Sequence, residues 1–396
     1  MTDALYRMSP VEIARGTLVG FLDPSVASAG DTSSASTPRE ALEACVLEAL
    51  DRRPTVVAFS GGRDSSALLA VAVLVARRHG LDLPVPVTRR YPGIDGTNED
   101  SWQELMVRHL GLREWVRIEI DDGRLDLIGP IAAPRLRRFG VLWPPLLYTD
   151  AAIVEVARGG TIINGEGGDQ LLVAANHRMP RLLSTLGRGR RVPGPRSIMR
   201  AGMQLAPKSI RAREARRRVD ESVVSWLRPE VHRGLIDDVI RDEVSMPLRF
   251  DRSIRAIPQQ RSLVHGLDNR RHLAAMEDVR YAHPFLDHGF IDSLARSGGW
   301  WGRASRSRWM TELFGDILPP AIIQRHTKAA FNLAVHGRHS RAFAASWDGS
   351  GVDADLIDVD ALRRAWLSDY PPAMSAALLQ AAWLAGTAHR DSTHSD

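Results

Sequence analysis

The sequence predicts an α/β fold, a parallel sheet with helices on both faces, followed by a mainly helical C-terminal half. Three observations carry this prediction. Short β-branched runs alternate with helical stretches from Thr37 to Asn164, the pattern of repeated strand–helix units. Strand signals fade after residue 170, where helices broken by Pro and Gly take over. The chain has 396 residues, 44% hydrophobic and 25% charged, enough for two or three structural units with a sizeable core.

Residues 1–37 hold few core-forming side chains and end in a Ser/Ala/Gly-rich stretch that reads as a linker. Thr37-Pro38-Arg39-Glu40 opens a helix, because Thr caps, Pro suits the first helical position and Glu completes a capping box. That helix runs over 40–51, and the apolar run 55–59 is a buried strand. A Ser-Gly-Gly turn leads into a long apolar helix over 65–79. Strands follow at 83–88, 114–120 and 161–164, separated by helices at 98–110 and 152–158. Residues 38–180 thus form the α/β core, and 219–390 the helical portion, with helices at 222–227, 262–276, 290–297 and 374–385. Between them, 181–218 is basic and reads as a mobile loop, and 391–396 as a disordered tail.

Composition removes several classes of function. Cys45 is the only cysteine, so no internal disulfide and no cysteine metal cage can form, which fits a reducing, cytoplasmic setting. The N-terminus lacks a basic segment followed by an apolar run, and the longest apolar stretches, such as 67–76, are too short to span a bilayer. Of 52 basic residues only Lys208 and Lys328 are lysine. Positive charge is also local. Residues 178–218 carry 13 basic residues and one acid, Glu214, a net of +12, which leaves −7 for the rest of the chain. The excess is one feature of the chain and does not make it a nucleic-acid-binding protein.

The sharpest motif is Phe59-Ser60-Gly61-Gly62-Arg63-Asp64-Ser65-Ser66, placed between a strand and a helix. Two glycines permit a tight turn that presents successive N–H groups, the helix start adds unpaired donors, and the serine hydroxyls supplement them. A carboxylate in a phosphate cradle repels phosphate unless Mg²⁺ lies between them, so Asp64 points to a metal–phosphate site. The Gly-Lys-Ser/Thr of a Walker loop is absent. Asn164-Gly165-Glu166-Gly167-Gly168-Asp169 follows the strand at 161–164, so it too lies at a carboxyl edge of the sheet, where open α/β sheets bind ligands.

Ser-Gly-Gly-x-Asp-Ser after a strand resembles the pyrophosphate loop of the N-type ATP pyrophosphatases, which split ATP into AMP and pyrophosphate while adenylating a substrate. Three further segments resemble the synthetase domain of asparagine synthetase: Gly165-Glu166-Gly167-Gly168-Asp169, then His283-Pro284-Phe285-Leu286-Asp287, then Arg325 to Phe331 around Lys328. All four occur in the family's order, and the resemblance spans roughly residues 38–390. It extends to the β-lactam synthetases and lasso-peptide cyclases. It implies an adenine nucleotide α-hydrolase-like fold and an amide-forming ligase that uses ATP and Mg²⁺. On that basis Asp64 and Asp169 would hold Mg²⁺, while Phe59, Ser60, Gly61, Gly62, Ser65, Ser66 and Gly165 would line the ATP site. Lys328 would offset charge on the α-phosphate and the oxyanion, and Glu166, with Asp287 or His283, would take a proton from the attacking amine.

The departures narrow the substrate. Glutamine-hydrolysing asparagine synthetases place a cysteine nucleophile directly after the initiator Met, and here that residue is Thr2. The nitrogen is then expected from free ammonia, a separate glutaminase or an amine on the substrate. Gln170-Leu171-Leu172-Val173-Ala174 replaces the usual Glu-Leu-Phe-Gly-Gly, and Ala282 stands where the family carries Arg. Both changes lie near the acceptor site, which sets aspartate aside in favour of another small-molecule or peptide carboxylate, a precursor peptide included. The alternatives are asparagine synthesis and a tRNA-modifying adenylating enzyme. Glu166, Asp169 and Lys328 belong to the ligase class and not to the tRNA class.

Lys328 yields a test of its own. Lys328→Arg is expected to lose about a hundredfold in turnover, the usual cost of one transition-state contact, because a planar guanidinium cannot place a compact charge. Lys208→Arg, the surface control, is expected to turn over normally. Equal, near-normal rates in both variants would make Lys328 an ordinary surface lysine.

Overall fold

The computed structural model describes residues 5–22, 36–93, 99–121, 123–186, 199, 202–325 and 335–393. Five strands, Thr55–Ala58 (β1), Val85–Arg90 (β2), Val116–Glu119 (β3), Thr161–Ile163 (β4) and Arg280–Ala282 (β5), form one parallel sheet in the order β3-β2-β1-β4-β5. One register line crosses its centre: Val56 pairs with Val85 on one side and Ile162 on the other, and Ile162 with Tyr281. The order in which strands are added reverses at β1, since β2 and β3 extend the sheet one way and β4 and β5 the other. The crevice beyond the carboxyl ends of β1 and β4 is therefore the switch point where such sheets take ligands.

Alternation along β1 feeds two cores. Val57 and Phe59 join a cluster with the helices Pro38–Ala49 and Arg63–His79, while Val56 packs with Ile153, Val154, Ala157 and Ala274 on the opposite face. Both faces are covered, which is why the strands read as apolar runs. The helix Arg63–His79 is buried at every position from Ser65 to Val73, and fully burying one of its leucines contributes about 2 kcal/mol. Thr37 and Glu40 form the expected capping box, with Glu40 N–H donating to Thr37 Oγ1 (3.2 Å) and Thr37 N–H to Glu40 Oε2 (2.8 Å).

Three features differ from the reading of the sequence. The fifth strand, β5, has only three residues, Arg-Tyr-Ala, too few and too polar to register as a strand, yet it carries His283 at its end. The N-terminal segment is docked rather than peripheral: Met8, Ala14 and Leu18 are buried, and Trp226 Nε1 donates to Ala14 O (3.0 Å). The basic stretch is helical at both ends, Arg178–Leu186 and Lys208–Arg218, because Arg and Ala favour helix and Ala215 packs against Ile236 and Ile240. Residues 187–198, 200 and 201 lie outside the described residues, as do most of the linker and the last three of the tail; the helix Ala376–Thr393 precedes them. The helical portion has its own core around Trp226, Trp347, Leu362 and Trp366. Among the described residues no helix is long and apolar enough to cross a membrane.

His177 ties the short helix Gly168–Leu172 to the rest of the core. Its Nε2 donates to Leu171 O (2.9 Å) and its Nδ1 lies 2.7 Å from Ser253 Oγ. Burial pushes its pKa down to about 4. Because the folded pKa lies below the unfolded one, the unfolded chain takes up a proton first as pH falls from 6.5 to 4. Stability should therefore fall across that window by about 3 kcal/mol. Urea midpoints at pH 7 and 4.5 check this: His177→Gln should lose less stability on acidification than wild type, and an identical loss would contradict it.

Candidate active site

The turn after β1 is locked by serines. Ser65 Oγ donates to Gly62 O (3.2 Å) and lies 3.1 Å from Ser60 Oγ, while Gly62 N–H donates to Ser60 Oγ (3.3 Å). Gly61 sits at φ 81°, and a Cβ there would stand 2.9 Å from Gln103 Cγ, so glycine is required twice over. Gln103 Nε2 donates to Ser60 O (3.1 Å) and Arg325 Nη1 to Gly61 O (2.8 Å), so both carbonyls of the turn are occupied from outside. Arg325 is held by an ion pair with Glu99 and lies over the Trp102 ring at 4.9 Å. Gly62 caps the helix Arg63–His79 without a side-chain hydrogen bond, which leaves the helix N–H donors for a ligand.

The turn after β4 makes room for the first. A Cβ on Gly168 would fall 2.3 Å from Asp64 Cγ, and one on Gly165 would fall 3.2 Å from Asp64 Cβ. The glycines of Gly165-Glu166-Gly167-Gly168 thus let the two loops meet at Asp64. Arg306, at the start of the helix Arg306–Phe314, spans the junction, with one Nη on Asp64 Oδ1 and the other on Asp169 Oδ1. Burial raises the pKa of Asp64, and the Arg306 guanidinium works against that shift. Two carboxylates from two loops therefore converge on one cationic group.

The remaining polar groups line one cleft of about 510 Å³, which runs from Ser60 and Ser65 past Glu166 to Arg89, Asp150 and Tyr281. Glu166 N–H donates to Asn164 Oδ1 (3.2 Å), its carboxylate accepts from Gln170 Nε2 (3.3 Å), and Arg270 stands 3.6 Å away. Arg270 is also bound to Asp150 (2.7 Å). His283 Nδ1 lies 2.6 Å from Asn164 Oδ1, and burial lowers its pKa well below the usual value, so the imidazole is neutral at neutral pH. The asparagine between them places His283 and Glu166 in one hydrogen-bonded chain.

Of the residues singled out in the sequence, the cleft brings together Ser60, Gly62, Asp64, Ser65, Gly165, Glu166 and Asp169. The side chains of Phe59 and Ser66 are buried. Asp287 caps the helix His288–Gly298, accepting from Phe290 N–H (3.2 Å), and is not among the cleft-lining residues. Lys328 lies outside the described residues. Arg306, Arg270 and Glu99 were not legible in the sequence; 50 arginines hide the few that matter.

Arg306→Gln would remove the guanidinium that bridges Asp64 and Asp169. Breaking a mostly buried pair costs about 3–5 kcal/mol, and somewhat less here because the Asp169 side chain is 45% exposed. The variant should melt lower than wild type and recover in millimolar Mg²⁺, while wild type shifts little. A variant that melts like wild type with no response to Mg²⁺ would contradict the convergence.

Among the described residues no group of three or more His, Cys, Asp or Glu side chains could by itself hold a metal ion, so any cation at Asp64 and Asp169 needs ligands from elsewhere. None of the curated proteins matches the chain. The sequence profile of the family Asparagine synthase matches residues 37–385, which include every loop of the cleft. The chain therefore belongs to the Asparagine synthase family, whose members are ATP-dependent carbon–nitrogen ligases.

Proposed function

We propose that the chain adenylates a substrate carboxylate with ATP, releases pyrophosphate and passes the acyl group to an amine or ammonia. The setting is amino-acid or peptide natural-product metabolism, where the amine can belong to the substrate itself and close a lactam or lasso ring. One observation carries this reading: Asp64 and Asp169 converge on the Arg306 guanidinium beside the serine–glycine turn. A donor set of two carboxylates fits Mg²⁺, which takes its other ligands from phosphate oxygens and water.

Bound Mg·ATP supplies the adenylyl group: a carboxylate oxygen displaces pyrophosphate from the α-phosphorus, and the nitrogen then displaces AMP from the acyl carbon. The protein's part is binding, positioning and one proton transfer. Asp64 and Asp169 would hold the metal. The N–H groups of the 60–62 turn, the Ser60 and Ser65 hydroxyls and the helix start bind the departing pyrophosphate. Arg306, beside Asp64 and Asp169, would offset negative charge on the same phosphates. Glu166 accepts the proton from the attacking amine, its carboxylate oriented by Gln170 and Arg270. By its place in the sequence Lys328 supplies positive charge opposite the developing oxyanion. Arg89, Asp150 and Tyr281, at the far end of the cleft, form the wall against which the carboxylate substrate rests.

The test is Asp64→Asn. An amide keeps the shape of the side chain but cannot anchor Mg²⁺ against three phosphates. Pyrophosphate and AMP should appear in equal amounts from wild type given a carboxylate substrate, and should fall below detection in the variant, with circular dichroism unchanged. Turnover like wild type in the variant, or ADP and phosphate as products, would overturn the assignment.

A further inference from the structure

The basic stretch is a feature the ligase reading leaves unused. Its described parts bring Arg178, Arg181, Arg211 and Arg218 around a cavity of about 60 Å³, with Glu243 from the helix Pro229–Ser245 in its wall. Among the described residues Glu243 is the carboxylate that meets the cluster, 3.1 Å from Arg218 and 3.8 Å from Arg181. Four guanidinium groups thus face one carboxylate. Residues 187–201 contain no Asp or Glu, so the intervening chain adds no neutralising charge.

The arginines are fixed in place by neutral acceptors. Arg211 donates to Val244 O (2.7 Å), Arg181 Nε to Ala175 O (2.9 Å), and Arg178 to Gln204 O. The Nε atoms of Arg178 and Arg211 are buried and meet no acceptor among the described residues. Burial, and after it the neighbouring Arg211, push the pKa of Arg178 down to about 10. The opposite wall is Asn176, whose Nδ2 donates to Asp169 O (2.9 Å) and Gln170 O (3.1 Å), so the pocket abuts the segment carrying Asp169.

We propose that Arg178, Arg181, Arg211 and Arg218 form an oxyanion-binding site, separate from the nucleotide cleft, that takes one phosphate or carboxylate group. An oxyanion accepts from forked guanidinium donors, and its negative charge offsets the surplus that Glu243 leaves. The cavity has room for one such group, which fits a phosphate or the side chain of an acidic residue on a polypeptide.

Isothermal titration of the full chain with inorganic phosphate, and separately with an acetylated triglutamate peptide, tests this. Both titrations contain Mg²⁺ and β,γ-imido-ATP, so that the phosphate positions of the nucleotide cleft are filled. Wild type should bind at least one of the two, and Arg178→Gln and Arg211→Gln should each weaken that binding about tenfold or more. In anion-free buffer both variants should melt at or above the wild-type temperature, because each removes a repelling charge. Binding of phosphate alone assigns the site to a phosphate, and binding of the peptide alone assigns it to polypeptide carboxylates. No binding of either to wild type, or unchanged binding in both variants, would overturn the proposal. So would lower melting of both variants with anion binding intact.

Discussion

Everything at the cleft depends on two carboxylates being forced together. Asp64 and Asp169 come from separate loops, more than a hundred residues apart in sequence, and like charges in a poorly solvated place repel. Arg306 resolves that conflict by spanning both. The sheet supplies the frame: β1 and β4 are neighbours with parallel carboxyl ends, so the loops that follow them must meet. The glycines supply the space, since a side chain at 168 would collide with Asp64 and one at 165 would press against it. The fold thus brings an anionic pair together and balances it with the mostly buried Arg306 guanidinium.

That balance divides the work between rigid and exchangeable parts. The helix Arg63–His79 is buried along most of its length and fixes the backbone of Asp64. The side-chain hydrogen bonds within the 60–65 turn are all 3.1 Å or longer, at the weak end of the normal range. Carbonyls that would repel phosphate are held by Gln103 and Arg325. Arg325 is itself fixed by Glu99 in a buried pair, so a charge network behind the turn supports the donors in front of it.

Much of this was legible in the sequence because it depends on local chemistry. A strand, a Ser-Gly-Gly turn and an acid mark the first loop of the cleft within eight residues, and Gly-Glu-Gly-Gly-Asp marks the second after β4. What was not legible depends on distance or on disguise. β5 is too short to show a pattern, although it completes the sheet and delivers His283. Arg306 reaches Asp64 across 242 residues, and nothing local marks it among so many arginines. Nor does a motif show where its side chains end up: those of Phe59 and Ser66 are buried, and Asp287 caps a helix. A motif specifies a backbone path, and the packing around that path decides which of its side chains face the cleft.

The most direct measurement of the central claim, that Asp64 and Asp169 jointly hold a divalent cation with the nucleotide, is electron paramagnetic resonance of Mn²⁺ titrated into the protein with a non-hydrolysable ATP analogue. The account predicts a protein-bound, broadened Mn²⁺ signal in wild type that is lost when Asp169 is replaced by Asn. An Asp169→Asn protein that binds Mn²⁺ and the analogue as wild type does would contradict it.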